Sequence, residues 1–501
     1  MRFPRMSGVL LHPTSLPGPH GSGDLGAAAY HFVDWLAGAG QKLWQILPLG
    51  SIGPGNSPYM SISAFAGNPL LIDLQDLVNR GWLAADELGR SIFPDERIDF
   101  TAVIPFRLAM LRKAAAGFFA AGGQGHSEFN NFRAAHARWL DDYSLFMALA
   151  GQDASRRWSD WPPALARRQP KVLAAARQAH AEEIRFCEFV QWNFFRQWFD
   201  LKRYANERGV RIIGDIPIFI AYDSADVWAN PQLFHLDDKL RPAVVAGVPP
   251  DFFSETGQLW GNPLYRWDRH EEDGYAWWVS RIREATRMTD IVRIDHFRGF
   301  AGYWEIPAGA TTAVSGRWRP GPGEKLFAAV RDALGRLPII AEDLGVMTPD
   351  VIELRDAFEL PGMRVLQFAF ADNTENPFLP HNYVHNCVAY TGTHDNDTSL
   401  GWFTQAAERE RAFVRKYLNT EGREIHWDLI HAASQSVADL ALYPLQDVLG
   451  LGAEARMNLP GMAEGHWEWR FQWRQVDDWH GVRLREMSAV HGRNGLALPP
   501  G

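Results

Sequence analysis

Eight short apolar runs, most of them separated by stretches with helical spacing, constrain what this chain can fold into. A short apolar run bounded by turn residues is typical of a buried strand. Strands that alternate with helical segments predict βα units and a parallel sheet, and about eight such units close into a (β/α)8 TIM barrel. The predicted strands are Ser7–Leu11, Lys42–Leu47, Val210–Asp215, Ile291–Asp295, Ile339–Glu342, Val365–Phe370, Val388–Thr391 and Ser436–Tyr443.

We expect one catalytic barrel over residues 1–501, with helical and loop insertions around its mouth. Residues 70–185 are rich in Ala, Arg and Glu and have helical periodicity, which predicts a mainly helical insertion. The amphipathic stretch Glu182–Arg208 ends at Gly209, a signal for a long helix and its end. Residues 246–263 combine Gly and Pro with Trp260, and we interpret them as an active-site lid loop; an ordinary barrel loop is the alternative.

Composition excludes several classes of function. The net charge is −9 and no block of Lys and Arg is present, which argues against nucleic acid as a partner. No apolar run approaches the roughly 20 residues of a membrane span, so no membrane association is expected. The two cysteines, Cys187 and Cys387, are typical of thiols in a reducing compartment, and the cytoplasm is the expected location.

Carboxylates stand at the ends of four predicted strands. Asp215, Asp295 and Glu342 each end an apolar run, and Asp395 follows another in the segment Thr391-Gly-Thr-His-Asp395. The carboxyl ends of barrel strands meet at one mouth, and two carboxylates on either side of a sugar are what cleavage of a glycosidic bond requires. Each acid taken alone could equally cap a helix or bind backbone, but four together favour catalysis.

Strand geometry gives the acids different environments. Arg293 lies two residues before Asp295 and shares its face, so it would keep Asp295 ionised, as a nucleophile requires; a structural ion pair is the alternative. Glu342 ends the apolar run Ile339-Ile-Ala, where desolvation would raise the pKa of a general acid. In Glu342-Asp343 only one side chain can face the lumen.

Aromatic residues make up 13% of the chain, with 21 Trp and 30 Phe, and most of them must form the core. The remainder could stack on the apolar faces of sugar rings. Tyr59, Trp260 and Trp402 lie in segments that resemble loops and are the best candidates. The spacing of Asp395 and Asp397 is weak evidence for a metal, and His296 and His394 are too few to build a metal site. We therefore expect no metal and no cofactor.

Long motifs extend the argument beyond single residues. The chain resembles the 4-alpha-glucanotransferases, also called amylomaltases or disproportionating enzymes, nearly from end to end. The residues that carry the resemblance are Ser57-Pro-Tyr59 with Ser63-Ala-Phe-Ala-Gly-Asn-Pro69, Gly214-Asp-Ile-Pro217, Gly247-Val-Pro-Pro-Asp251, Gln258-Leu-Trp-Gly-Asn-Pro263, Arg293-Ile-Asp-His-Phe-Arg-Gly299, Ala341-Glu-Asp-Leu-Gly345, Gly392-Thr-His-Asp395 and Arg456-Met-Asn-Leu-Pro-Gly461.

The resemblance implies a retaining α-glucan transferase with Asp295 as nucleophile, Glu342 as acid/base and Asp395 as transition-state stabiliser. Its substrates would be α-1,4-glucans such as maltodextrins and fragments of starch or glycogen, with glucose as an acceptor. One departure is visible: His466 stands where the family usually has Asn before Trp467. The sugar contacts that the same motifs suggest are Ser57, Tyr59, Asp215, Asp251, Trp260, Asn262, Arg293 and His394.

Three alternative hypotheses compete with that of a glucan transferase. An α-glucan hydrolase of the amylase type would share the barrel and the acids. A glycan-binding barrel without activity would be expected to lack one of the acids, and all three are present. A metal-dependent barrel enzyme would need more clustered His and Asp ligands at the strand ends.

Overall fold

The strands of the protein follow the predicted order along the chain. The computed structural model describes residues 2–89, 92–153, 155–250, 254–335, 337–371, 373–462 and 465–495. Its strands are β1 (Met6–Leu10), β2 (Leu43–Gln45), β3 (Arg211–Pro217), β4 (Val244–Val248), β5 (Gln258–Pro263), β6 (Ile291–Asp295), β7 (Gly302–Pro307), β8 (Arg317–Pro320), β9 (Ile339–Ala341), β10 (Gly362–Val365), β11 (Cys387–Tyr390) and β12 (Leu440–Pro444).

Eight of these strands form one parallel sheet in the order β10-β11-β12-β1-β2-β3-β6-β9. The sheet curves into a nearly closed barrel, which confirms the predicted (β/α)8 fold. Alternate residues of each strand fill the lumen, among them Leu43, Ile213, Ile291 and Leu442. The residues between them point outward and pack against the helices. This alternation fixes which side chains at a strand end can reach the mouth.

The barrel closes at a seam between its two terminal strands, β9 and β10. The Ala341 N–H donates to the Pro361 carbonyl at 2.9 Å. One carboxylate oxygen of Asp343 accepts the Met363 N–H at 2.6 Å, and the other lies 2.6 Å from Arg355 and 3.4 Å from Arg364. Asp343 thus faces away from the mouth and joins the seam, as expected for the residue adjacent to Glu342.

Helices surround the barrel. Helix α7 (Ala181–Glu207) packs against β3, and α10 (Ala276–Met288) packs against β3 and β6. The α-helices are α1 (Ala27–Gly38), α2 (Leu74–Asn79), α3 (Phe100–Ala120), α4 (Ser127–Ala150), α5 (Pro163–Ala166), α6 (Pro170–Ala179), α7 (Ala181–Glu207), α8 (Ala225–Ala229), α9 (Trp267–Glu272), α10 (Ala276–Met288), α11 (Glu324–Leu334), α12 (Pro349–Ala357), α13 (Ser399–Gln405), α14 (Glu408–Leu418), α15 (Ile425–Gln435), α16 (Leu445–Val448) and α17 (Asp478–Val490).

The long helix predicted over Glu182–Arg208 is α7, and Gly209 follows it with a φ of 73°. The segment 70–185 contains α2 to α6 and the start of α7. That it is an insertion beside a single catalytic barrel stays a prediction. Among the described residues, no helix combines the length and the apolar character needed to cross a bilayer.

One local prediction was wrong. The sixth barrel strand is Gly362–Val365 and not Val365–Phe370. The residues after it, Leu366–Phe370, are not a strand; they are apolar because they pack in the core outside the barrel. The segment 246–263 is not simply a loop, since it contains the end of β4 and all of β5. These strands belong to a separate antiparallel sheet in the order β5-β4-β7-β8. Residues 251–253, between them, lie outside the described residues.

Candidate active site

The strand-end acids meet because the strands are in parallel register. Asp215 of β3 is paired with Arg293 of β6, and Pro217 is paired with Asp295. On the other side of β6, Ile294 is paired with Ala341, the residue before Glu342. Asp215, Asp295 and Glu342 are therefore brought to one end of three neighbouring strands, as predicted from their positions.

Arg293 joins two of these acids. Its guanidinium donates from Nη1 to Asp215 Oδ2 at 2.5 Å and from Nη2 to Asp295 Oδ1 at 2.9 Å. Burial acts to lower the pKa of Arg293, but the two carboxylates outweigh it and raise the pKa well above the usual range. The guanidinium is therefore always charged and forms an ion pair with Asp295. The predicted contact between Arg293 and Asp295 is confirmed.

Asp215 has the most buried environment of this group. Its Oδ2 also accepts the Tyr59 hydroxyl at 2.8 Å. Burial raises the pKa of Asp215, and Arg293 partly offsets that effect by favouring the carboxylate. Tyr59 has its own pKa raised well above the usual value, again mainly by burial, so it donates as a neutral phenol. Tyr59, Asp215, Arg293 and Asp295 thus form one connected network.

Glu342 sits beside this network in a different electrostatic state. Burial, followed by the negative charge of Asp295, raises its pKa to about 8. Glu342 Oε2 accepts the backbone N–H of His296 at 2.7 Å, and Oε1 accepts that of Leu344 at 3.2 Å. At neutral pH Glu342 therefore holds a proton, as expected from its apolar approach, while Asp295 is bound to a permanent cation.

The backbone at His296 makes the contact with Glu342 possible. His296 follows Asp295 directly and has φ 52° and ψ 49°, the left-handed region that side chains other than glycine enter at a cost. This conformation ends β6 and turns the N–H of His296 to Glu342. Burial lowers the pKa of the His296 imidazole to about 4, so the ring is neutral. No role was predicted for His296, although its position directly after a strand-end acid was an available signal.

Asp395 lies in the loop after β11 and is the most open of the acids, with 41% of its side chain exposed. Its Oδ1 accepts the Asn458 amide at 2.6 Å, and its carbonyl accepts the Arg456 guanidinium at 2.6 Å. His394 Nε2 lies 3.4 Å from Oδ2, and burial lowers the pKa of this histidine. Arg456 and Asn458 belong to a quoted motif, but no role was predicted for them.

Flat rings surround the acids. The Tyr59 and His394 rings stack with centroids 5.1 Å apart, and Trp467 lies 5.9 Å from Tyr59 and 5.8 Å from His394. On the β5 side, the rings of Trp260 and His296 are nearly perpendicular, with centroids 4.8 Å apart. Trp402, by contrast, lies on α13 and packs against Phe370, so its predicted loop context was wrong.

Two other residues that were predicted to contact sugar, Ser57 and Asn262, form hydrogen bonds within the protein. Ser57 Oγ accepts the Tyr59 N–H at 3.2 Å, and the Asn262 amide donates to the Ile220 carbonyl at 2.9 Å. Their contact with a sugar stays a prediction. Asp251 lies outside the described residues, and His466 is half-buried beside Trp467. Among the described residues no group of three His, Cys, Asp or Glu side chains could hold a metal ion.

Comparison with known proteins decides the family. The model of the family described as 4-alpha-glucanotransferase matches residues 11–476. The chain belongs to the 4-alpha-glucanotransferase family. A 4-alpha-glucanotransferase of Thermus thermophilus is 53% identical over 502 residues, which cover 98% of this chain and all of that protein. The chloroplastic/amyloplastic 4-alpha-glucanotransferase of Solanum tuberosum is 46% identical, over 98% of this chain and 86% of the relative.

Solved structures agree with the family. The amylomaltase of Streptococcus agalactiae, in complex with acarbose, has a TM-score of 0.95 and 39% identity, over 98% of this chain and 99% of that one. The amylomaltase of Corynebacterium glutamicum, at 18% identity and a TM-score of 0.75 over 98% of this chain and 75% of that one, shares the fold. The resemblance to the 4-alpha-glucanotransferases is confirmed, and with it the transfer of α-1,4-glucan segments.

The buried, protonated Glu342 gives a stability prediction for this 4-alpha-glucanotransferase. Its pKa is about 8 in the folded protein and near the usual 4.5 when unfolded, so the folded state binds the extra proton between these values. Wild-type stability therefore falls as pH rises from about 4.5 to 8. We expect the free energy of unfolding of Glu342→Gln, relative to wild type, to rise across that window by a few kcal/mol in order of magnitude.

Chemical denaturation at pH 5, 7 and 9 measures this difference. The NH2 group of the introduced Gln would face the Leu344 N–H, which destabilises the variant by an amount that does not vary with pH. The quantity to compare is therefore the slope against pH of the difference in unfolding free energy between Glu342→Gln and wild type. Glu353→Gln, at an exposed position on α12, is the control. A difference between Glu342→Gln and wild type that stays flat from pH 5 to 9 would contradict the elevated pKa.

Proposed function

We propose that this protein transfers α-1,4-glucan segments by double displacement, with Asp295 as nucleophile and Glu342 as acid/base. The observation that carries the proposal is the pair of opposite environments at the ends of β6 and β9. Arg293 donates to Asp295 at 2.9 Å, while burial and the neighbouring negative charge raise the pKa of Glu342 to about 8. A carboxylate paired with a cation beside a carboxyl group with a raised pKa is what nucleophile and acid require.

In the first half of the reaction, Glu342 gives its proton to the glycosidic oxygen. The bond from the anomeric carbon to that oxygen breaks, and Asp295 attacks the anomeric carbon to form a covalent glycosyl-enzyme. Glu342, now ionised, then takes the proton of the 4-hydroxyl of an incoming maltodextrin or glucose, and this oxygen displaces Asp295. Two inversions give retention of configuration.

Asp395 and the surrounding polar and aromatic groups bind the reacting sugar. With its carboxylate partly open, Asp395 accepts hydroxyl hydrogens of the distorted ring and strengthens these contacts as positive charge develops. The stacked Tyr59 and His394 rings supply a flat surface beside it. Ser57, Asp215, Asp251, Trp260, Asn262 and Arg293 complete the proposed set of sugar contacts.

Transfer needs a means of holding off water, which is present at about 55 M, while an acceptor sugar binds. We assign this lid role to the segment 246–263. Support comes from β5, which carries Trp260 to the His296 ring, directly beside Asp295 and Glu342. A strand paired with β4 positions the Trp260 ring more firmly than a free loop would.

The substrates are maltodextrins and fragments of starch or glycogen, with glucose as an acceptor. We assign the protein to the cytoplasm. Its two cysteines support this assignment because both are free and buried, and burial raises the pKa of the Cys387 thiol to about 12.

Asp295→Asn should abolish turnover of maltotriose while the protein stays folded. The amide is isosteric but is not a nucleophile, and loss of one member of a unit that acts together costs nearly the whole rate enhancement. Product separation and the thermal unfolding midpoint are the two measurements. Asp223→Asn, at a surface carboxylate outside the site, is purified in parallel as the control. Appreciable turnover by Asp295→Asn would reject it as nucleophile.

Glu342→Gln should slow transfer from maltotriose strongly and slow the first step from a glucosyl fluoride much less. Fluoride leaves with little help from an acid, so the covalent intermediate accumulates and is detected by mass spectrometry. In wild type, kcat/KM should fall as pH rises past about 8, because the free enzyme then loses the catalytic proton. Equal losses with both donors would show that Glu342 is not the general acid.

Trp260→Ala should weaken glucan binding by roughly 1–3 kcal/mol, because a large apolar contact is lost. It should also raise the fraction of glycosyl-enzyme that ends in hydrolysis. Both rates are measured on one preparation, with Trp267→Ala as the control at a half-buried ring that packs against Tyr265. A constant ratio of transfer to hydrolysis with weaker binding would make Trp260 a stacking surface without a role in excluding water.

A further inference from the structure

The segment Arg456–Asn458 comes from beyond the last barrel strand and returns to the mouth at Asp395. Asn458 Nδ2 donates to Asp395 Oδ1 at 2.6 Å. Arg456 donates from Nη2 to the Asp395 carbonyl at 2.6 Å and from Nε to the Asn458 carbonyl at 2.7 Å. The guanidinium thus ties together the backbones of the two residues whose side chains are hydrogen-bonded to each other.

Burial differs sharply between the two partners. Asn458 is 9% exposed, while 41% of the Asp395 side chain is open to the mouth. Within the described residues, the Asn458 amide is the side-chain donor hydrogen-bonded to this carboxylate; His394 Nε2 lies farther away, at 3.4 Å from Oδ2. The carboxylate is therefore held at one oxygen, and its other oxygen is left for hydroxyl groups in the mouth.

We propose that Asn458 is a positioning residue for the reaction: its amide fixes Asp395 Oδ1 and turns Oδ2 toward the reacting sugar, while Arg456 locks the two backbones. The inference rests on the role assigned to Asp395 in the proposed function. An amide is suited to this position because it donates a hydrogen bond without bringing a charge that would compete with the positive charge of the transition state.

The groups around Asp395 come from three parts of the chain. His394 lies on its own loop, Tyr59 comes from the loop after β2, and Arg456 comes from the C-terminal segment. Burial lowers the pKa of His394 and raises that of Tyr59, so both are neutral near pH 7. Arg456 contacts the backbone carbonyl of Asp395. The orientation of the carboxylate therefore depends on the donor at Asn458.

Asn458→Asp tests the donor with almost no change in shape. While the introduced carboxyl is protonated, its O–H can still donate to Asp395; once it ionises, two carboxylates face each other at hydrogen-bond distance. We expect kcat/KM for maltotriose near the wild-type value at pH 5. The alkaline fall should begin at least about one pH unit below that of wild type, since a carboxyl beside another titrates within the acidic to neutral range.

Asn458→Ala removes the donor at every pH. Loss of a hydrogen bond to a charged group should lower kcat about 10- to 100-fold, with little change in KM. Asn376→Asp is the matched control, because Asn376 is also 9% exposed and its amide donates to the Phe368 carbonyl in a loop after β10. Thermal unfolding verifies the fold of each variant, and Asn458→Ala carries the test alone if Asn458→Asp does not fold.

Combination with Asp395→Ala separates this inference from the proposed function. If Asn458 acts through Asp395, Asn458→Ala should cost no further activity toward a glucosyl fluoride in the Asp395→Ala background. The same loss in both backgrounds, or an Asn458→Asp pH profile parallel to wild type, overturns the inference and leaves the proposed function standing. High activity of Asp395→Ala itself overturns the assigned role of Asp395, and the inference with it.

Discussion

The buried ion pairs of Arg293 are the interaction on which the site depends. The buried Asp215 and the partly exposed Asp295 lie at neighbouring strand ends, where their negative charges would repel each other. The guanidinium between Asp215 and Asp295 makes their proximity possible, and its planar fork matches two acceptors at once. Buried pairs of this kind are costly to assemble, so their presence at a strand end is better explained by chemistry than by stability.

The same charge acts beyond its direct partners. The negative charge of Asp295 raises the pKa of Glu342 while the positive charge of Arg293 lowers it, and burial together with Asp295 prevails, so Glu342 keeps its proton. The two carboxyl groups, on neighbouring strands, differ in their contacts. Asp295 accepts from the Arg293 guanidinium, while Glu342 accepts the backbone N–H groups of His296 and Leu344.

Local sequence pattern was sufficient for the barrel and for its acids. The alternation of side chains along a strand predicts that Arg293 shares a face with Asp295 and that Glu342 and Asp343 point to opposite sides. Both predictions require only the two-residue period of a strand. The sequence pattern gave wrong local predictions where tertiary packing determined the conformation. Leu366–Phe370 is apolar but is not a strand, and it packs in the core outside the barrel. Trp402 lies on a helix, and β5 belongs to a second sheet. Asn458 could not be assigned a role because its contact spans more than sixty residues of chain.

The seam of the barrel separates the placement of Glu342 from the closure of the fold. At β9 and β10 a side chain, Asp343, takes up a backbone donor in a position where a regular ladder would place a carbonyl. Glu342 instead receives its position from β6, through its N–H to the Ile294 carbonyl and through the His296 N–H. Asp343 and its arginines thus hold β9 to β10, while the hydrogen bonds to β6 place Glu342 beside Asp295. The spacing of acid and nucleophile is set within one pair of adjacent strands, and the contacts that close the barrel use a different side chain.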